Sequence, residues 1–143
     1  MRRLAVLPLL ALSAAALSVA GCGETDNSKD YTGARKDVAT AIDDISTHGR
    51  KLEARKICDG FMTTELKAQL AAQAVKSGRG TDCADQLKDS LRDTDVFEMD
   101  VKSIAVAGDT ATVKFTFDTS ADPDPAGTLE LVNQRGWRLS KLP

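Results

Sequence analysis

The chain has 143 residues, with 19 Lys+Arg against 21 Asp+Glu and a single His, for a formal charge of −2. That length suits one domain with short appendages. The lack of a basic excess argues against nucleic acid as a partner, because no spare cations are available to displace phosphate counterions, and 42% hydrophobic with 28% charged residues excludes both a disordered chain and a multi-span membrane protein.

The first segment in chain order reads as an export signal. Arg2 and Arg3 form a basic start, Leu4 to Ala20 is an uncharged apolar run interrupted by Pro8, and small residues lead into Cys22. The run stops short of the roughly eighteen residues of a good membrane span, so residues 1–21 are expected to be a signal peptide that is removed. Arg2-Arg3 lacks the usual surroundings of a twin-arginine signal, which favours the general secretory route. Val19-Ala20-Gly21-Cys22 resembles the bacterial lipobox. The resemblance implies that Cys22 receives a diacylglyceryl group on its sulfur and becomes the first mature residue, on the extracytoplasmic face of the cell membrane. Two acyl chains, at about 0.8 kcal/mol per buried methylene, anchor stably where one does not. The alternative is an ordinary signal peptide with a chance cysteine near the cut. Residues 22–33 are then expected to be a flexible tether, since Gly23 to Gly33 is polar and cannot bury enough apolar surface to order itself.

With Cys22 assigned to lipid, Cys58 and Cys83 remain. In an exported domain such a pair suggests one disulfide, with two free thiols as the alternative.

The folded domain is expected over residues 34–143, helical first and strand-rich second. From Ala34 to about Thr47, Val38, Ala41, Ile42 and Ile45 recur at helical spacing. Asp37, Asp43 and Asp44 face away, and Gly49 is the expected C-cap. A second helix is expected from Arg50 to Cys58 with Leu52, Ala54 and Ile57 inward, broken by Asp59-Gly60. A third, alanine-rich helix starts near Thr63 and stops at Ser77-Gly78. A fourth runs from Thr81 to about Leu91, capped by Thr81 or Asp82, with Cys83, Leu87 and Leu91 on one face.

After Asp93 the period changes to 2. Phe97, Met99 and Val101 share one parity, Ile104 and Val106 the other, and a bulge near Ser103 would restore the face. Gly108-Asp109 signals a hairpin. Thr110 to Thr119 alternates with Ala111, Val113, Phe115 and Phe117 inward. Residues 120–127 form a loop with two prolines, Thr128 to Gln134 is a third strand, and Trp137 to Leu142 is a fourth with Trp137 and Leu139 inward. Helices followed by strands argue for an α+β fold with a four-stranded antiparallel meander.

The run Gly108-Asp109-Thr110-Ala111-Thr112-Val113, then Thr128 to Val132, then Gly136-Trp137-Arg138-Leu139 resembles the end of an NTF2-like (cystatin-like α+β cone) domain. The helical half with Cys58 and Cys83 is similar to small actinobacterial lipoproteins of that group. The resemblance covers roughly residues 34–143 and implies helices packed on a curved sheet, with a pocket at the mouth of the cone. Members of the family include dehydratases and isomerases as well as non-catalytic binders, so the fold does not choose between them. The family's enzymes place a His–Asp pair, or an Asp with Tyr, inside the cone. Here His48 falls at a helix end and Tyr31 in the tether, so no catalytic residue is carried over.

The pocket candidates are therefore Phe97, Phe115, Phe117 and Trp137, with Trp137 more readily a core residue than a ligand platform. Asp118, Asp122 and Asp124 could offer calcium its oxygens but lack the glycine and terminal Glu of an EF-hand, and a solvated loop is the simpler reading. Asp82, Asp85, Asp89 and Asp93, interrupted by Lys88 and Arg92, read as a solvated helix face. His48 has no second group placed to orient it as a general base. No metal and no cofactor is expected. The function expected is a membrane-anchored, non-catalytic binding or interaction module for a small apolar ligand or an envelope protein. The alternatives are an accessory envelope lipoprotein without a small ligand, or an isomerase or dehydratase. An open pocket behind the aromatics would favour the first, and a filled core the second.

Overall fold

A computed structural model describes residues 25–92, 98–117 and 125–143. Residues 1–21, expected to be a signal peptide, and Cys22, Asp93, Phe97 and the Asp118–Asp122–Asp124 group lie outside the described residues. A 3-10 turn at Asn27–Asp30 precedes four helices, α1 (Gly33–Arg50), α2 (Ala54–Phe61), α3 (Thr64–Ser77) and α4 (Cys83–Arg92). Four strands follow, β1 (Met99–Ala107), β2 (Thr110–Phe117), β3 (Ala126–Asn133) and β4 (Trp137–Lys141), as an antiparallel meander in the order β1-β2-β3-β4. The class is α+β, as the order of periodicities implies. None of the helices among the described residues is long and apolar enough to cross a membrane.

Helix α1 runs past its expected end. Gly49 is buried inside the helix rather than capping it. The stop comes three residues later, where Leu52 takes φ 58°. Leu52 N–H donates to Gly49 O at 2.9 Å and Glu53 N–H to His48 O at 2.9 Å. This is the paired bonding of a left-handed helix end, a place where glycine is usual because a side chain adds strain. Leu52, expected to point inward from a helix beginning at Arg50, is instead 53% exposed. Helix α2 begins only at Ala54 and continues through Asp59 and Gly60.

The starts of α3 and α4 follow ordinary capping chemistry. Thr63 Oγ accepts from Leu66 N at 3.2 Å, and Gly78 closes α3 at φ 68°. Asp82 Oδ1 accepts from Asp85 N at 2.9 Å while Asp85 Oδ2 accepts from Thr81 N at 2.8 Å, so Asp82 and Asp85 satisfy orphan donors reciprocally. In α3, Leu66, Leu70 and Ala74 face inward at four-residue spacing and Val75 turns outward.

The sheet keeps the expected faces. Pairing of β1 with β2 shifts register between Val101 and Ser103, and Met99, Val101 and Ile104 are all buried. The bulge therefore returns Ile104 to the inner face despite its opposite parity. Ala111, Val113 and Phe115 of β2, Leu129 and Leu131 of β3, and Trp137 and Leu139 of β4 complete that face. They join Val38, Ile42 and Ile45 of α1 and Ile57 and Met62 of the α2 segment in one core.

Both outer strands have company. Thr63 N–H donates to Leu139 O at 2.9 Å, and Met62 forms a parallel bridge to Leu139, so the α2–α3 connection lies along β4. On β1, the Asn27 side chain accepts from Val101 N at 2.9 Å and donates to Met99 O at 2.9 Å. Residues 22–33 were expected to be flexible throughout, yet Asn27 is 5% exposed. The order here comes from polar bonds to partners remote in sequence together with Tyr31, which packs against the core instead of lying free in a tether. Asp43, expected to face away, is one of those partners. Its Oδ1 accepts from Asn27 N at 3.2 Å and Asn27 Nδ2 at 2.7 Å, and its Oδ2 from Ser28 N at 3.0 Å.

Candidate functional site

Of the four aromatic pocket candidates, two come together. Phe115 is buried and Phe117 half-buried, with ring centroids 5.0 Å apart at 85°, the edge-to-face arrangement favoured by ring quadrupoles. Both line an apolar cavity of about 90 Å³ with Ile45, Met62, Met99 and Leu139. Gly127 stands directly across from Phe115 in the sheet. A Cβ there would meet Phe115 Cζ at 2.6 Å, so the ring occupies the space over the glycine. Trp137 pairs with Asn133, six residues along β3 from Gly127. At about 3.3 Å per residue that is roughly 20 Å away. Trp137 shares the face of Phe115 but not its cavity, and sits in the core with 8% exposure. Phe97 lies outside the described residues.

A second, larger recess was not anticipated. Close to it, the Cys58–Cys83 disulfide, with Cα atoms 6.2 Å apart, ties α2 to α4. Both cysteines are buried, and Met62 Sδ lies 3.5 Å from Cys83 Sγ as a van der Waals neighbour. Beside the bridge, α2 and α4 leave a groove of about 490 Å³ lined by Leu52, Glu53, Ala54, Lys56, Ala84 and Lys88, among others. Arg55 closes one flank by pairing with Asp82 at 2.8 Å. The Asp82 carboxyl is held below its usual range by the Asp85 backbone N–H first and the Arg55 guanidinium second.

The rim of the groove is a small charge network. Glu53 Oε1 lies 2.7 Å from Lys56 Nζ and Glu53 Oε2 lies 2.6 Å from His48 Nδ1. The Lys56 contact, then the His48 contact, lowers the Glu53 pKa from 4.5 to about 2. His48 is thus engaged with Glu53 and stacked obliquely 5.6 Å from Phe61. The acidic face of α4 is engaged too. Asp82 and Asp85 cap the helix, and Asp89 lies 3.6 Å from Arg79. Arg138, between the inward-facing Trp137 and Leu139, is half-buried and donates to Asp59 O at 3.2 Å. Among the described residues no three His, Cys, Asp or Glu side chains gather as a metal site.

The one sequence signal for the groove was Leu52, an apolar residue beside a Gly-containing helix end. Its outward direction depends on where α1 stops, which periodicity alone does not decide. The chain was compared with family models, curated proteins and solved structures, and it matches none of them.

Proposed function

We propose that this chain is an exported lipoprotein, anchored through Cys22 to the extracytoplasmic face of the cell membrane, whose NTF2-like domain is a non-catalytic interaction module for an envelope protein. The lipobox supports the anchor, and four helices preceding a bulged antiparallel meander support the fold family. The observation that carries the reading is the contrast between the two recesses. The cavity behind the aromatics, at about 90 Å³, is well below the ~300–1,000 Å³ typical of small-molecule sites. The α2–α4 groove falls within that size range, at about 490 Å³, but it is open and lined by Leu52 together with the charged Glu53, Lys56 and Lys88, so it would not enclose an apolar small molecule. A protein segment therefore suits this domain better than a small apolar ligand. Leu52 would serve as an apolar anchor inside a charged rim, the arrangement that interfaces favour.

Leu52 also makes the reading testable. Asn tolerates the left-handed conformation better than Leu, so Leu52→Asn should keep or raise stability while removing the apolar anchor. Photo-crosslinking in cells from position 52 or 88 should trap a discrete partner, and crosslinking from Lys36 on α1 should not. Leu52→Asn should abolish the product formed from position 88. Equal crosslinking from all three positions, or none from any, would defeat the proposal.

A further inference from the structure

We infer that Asn27 is a latch that shortens the anchor and holds the β1 edge of the domain beside the bilayer, so that the surface meeting the lipid headgroups is the Asn27–β1 side. The inference rests on the lipid-anchor reading of Cys22. What it adds is a fixed stand-off and a facing surface.

The latch is built like a missing strand residue. Edge strand β1 offers the Val101 N–H and the Met99 carbonyl outward, and the single Asn27 amide satisfies both, at 2.9 Å each. Asp43 on α1 then fixes that amide and the two backbone N–H groups of Asn27 and Ser28. Few residue types could do this. The position needs one acceptor and one donor on a short planar group, and the donor must reach a carboxylate as well.

The latch changes the geometry of anchoring. Asn27 is five residues from Cys22, which at full extension spans about 17 Å. Without the latch, the first fixed point would be Tyr31, packed against the core nine residues out, with a reach of about 31 Å. The domain would then tumble freely above the membrane. With the latch, the anchor cannot extend as far as the length of the sheet. The Trp137 end lies about seven residues along the strands from the Asp100–Thr116 row beside the latch, roughly 23 Å away. Lys102, paired with Asp100, and Lys29, paired with Asp26 at 2.9 Å, lie on the side that the latch turns toward the headgroups.

The test uses the full-length lipidated protein reconstituted in phosphatidylcholine–phosphatidylglycerol vesicles carrying a headgroup nitroxide quencher. Trp137 is the only native tryptophan, so it reports the far end directly, and the double variant Lys102→Trp, Trp137→Phe reports the latch side. The expected result is severalfold stronger quenching at position 102 than at 137. Asn27→Ala should erase the difference, and so should a flexible Gly/Ser insert between Cys22 and Thr25 that leaves the latch intact. In parallel, hydrogen exchange on the unlipidated chain should show the Val101 amide protected in wild type and the insert, and released in Asn27→Ala. Equal quenching at 102 and 137 in wild type, or a difference that survives the insert, would overturn the orientation while leaving the anchor standing. Failure of wild type to attach to vesicles would overturn the anchor reading and the stand-off together, and the Val101 exchange would still show whether the latch forms.

Discussion

Gly127→Ala tests the sheet and its aromatic cavity together. An added Cβ would sit 2.6 Å from Phe115 Cζ, 2.9 Å from Phe115 Cε1 and 3.2 Å from Pro143 Cγ. Ordinary carbon contacts are near 3.5–4.0 Å, so the ring must retreat by about an ångström. Phe115 is 2% exposed and wedged against Phe117, but the cavity of about 90 Å³ borders both rings and can absorb part of the shift. The expected loss is therefore about 1–2 kcal/mol, the lower half of the usual overpacking range. Phe115→Leu removes the clashing atoms, so the double variant Gly127→Ala, Phe115→Leu should be more stable than the sum of the single losses by about 1 kcal/mol. Urea unfolding of the disulfide-intact domain, followed by Trp137 emission, measures this as a shift of midpoint at constant slope. Phe115→Ala should cost about 3–5 kcal/mol, and Lys114→Ala, on the opposite face, under about 0.5 kcal/mol. Strict additivity in the double variant, or equal losses at 114 and 115, would refute the packing argument.

The remaining predictions concern the ends and the charged rim. Cys22→Ala should leave an uncleaved or released protein that no longer incorporates labelled fatty acid, and wild-type labelling of the variant would contradict the lipobox reading. The bridge closes a loop of 25 residues, so Cys58→Ala with Cys83→Ala should lower the unfolding free energy by about 2–4 kcal/mol on chain-entropy grounds, with non-reducing peptide mapping showing the linked pair in wild type. The Glu53 carboxyl should titrate near 2 by NMR rather than 4.5. Lys56→Ala should raise it more than His48→Ala. Because the folded-state pKa is the lower one, the stabilisation is complete above 4.5 and is lost as pH falls toward 2. Asn27→Asp should destabilise more than Asn27→Ala, since it keeps the acceptor for Val101 N–H but places a second carboxylate against Asp43, as unfolding midpoints of the two variants will show.

What could be read from the chain, and what could not, divides by the range of the interaction. Strand faces were legible because parity decides them locally. Even the bulge was legible, because Val101 and Ile104 cannot both face inward without one. The longitudinal position of Trp137 was not, because parity assigns a face and says nothing about register across three strands. The cysteine pair stood out through its number, once export was expected from the first residues. The end of α1 was misread at Gly49, since a glycine can be a cap or simply a buried helical residue, and the choice rests on how tightly the chain must reverse at Leu52. Asn27 was illegible in a polar stretch because its partners on β1 lie 72 and 74 residues away. The α2–α4 groove was illegible for the same reason, being the space left between two helices that a disulfide ties together across 25 residues of sequence.

The two flanks of the sheet have a consequence for molecules crowded together. An open meander leaves two rows of backbone donors and acceptors that can pair with a second chain. Here the Met62–Thr63 backbone covers part of β4, and one asparagine side chain, followed by the bulge and Lys102, interrupts β1. Neither flank offers a long clean run for strand addition. Copies of the domain confined to a surface, where local concentration is high and rotation restricted, can therefore collide edge to edge without templating a shared sheet, which is the route by which crowded β proteins begin to aggregate.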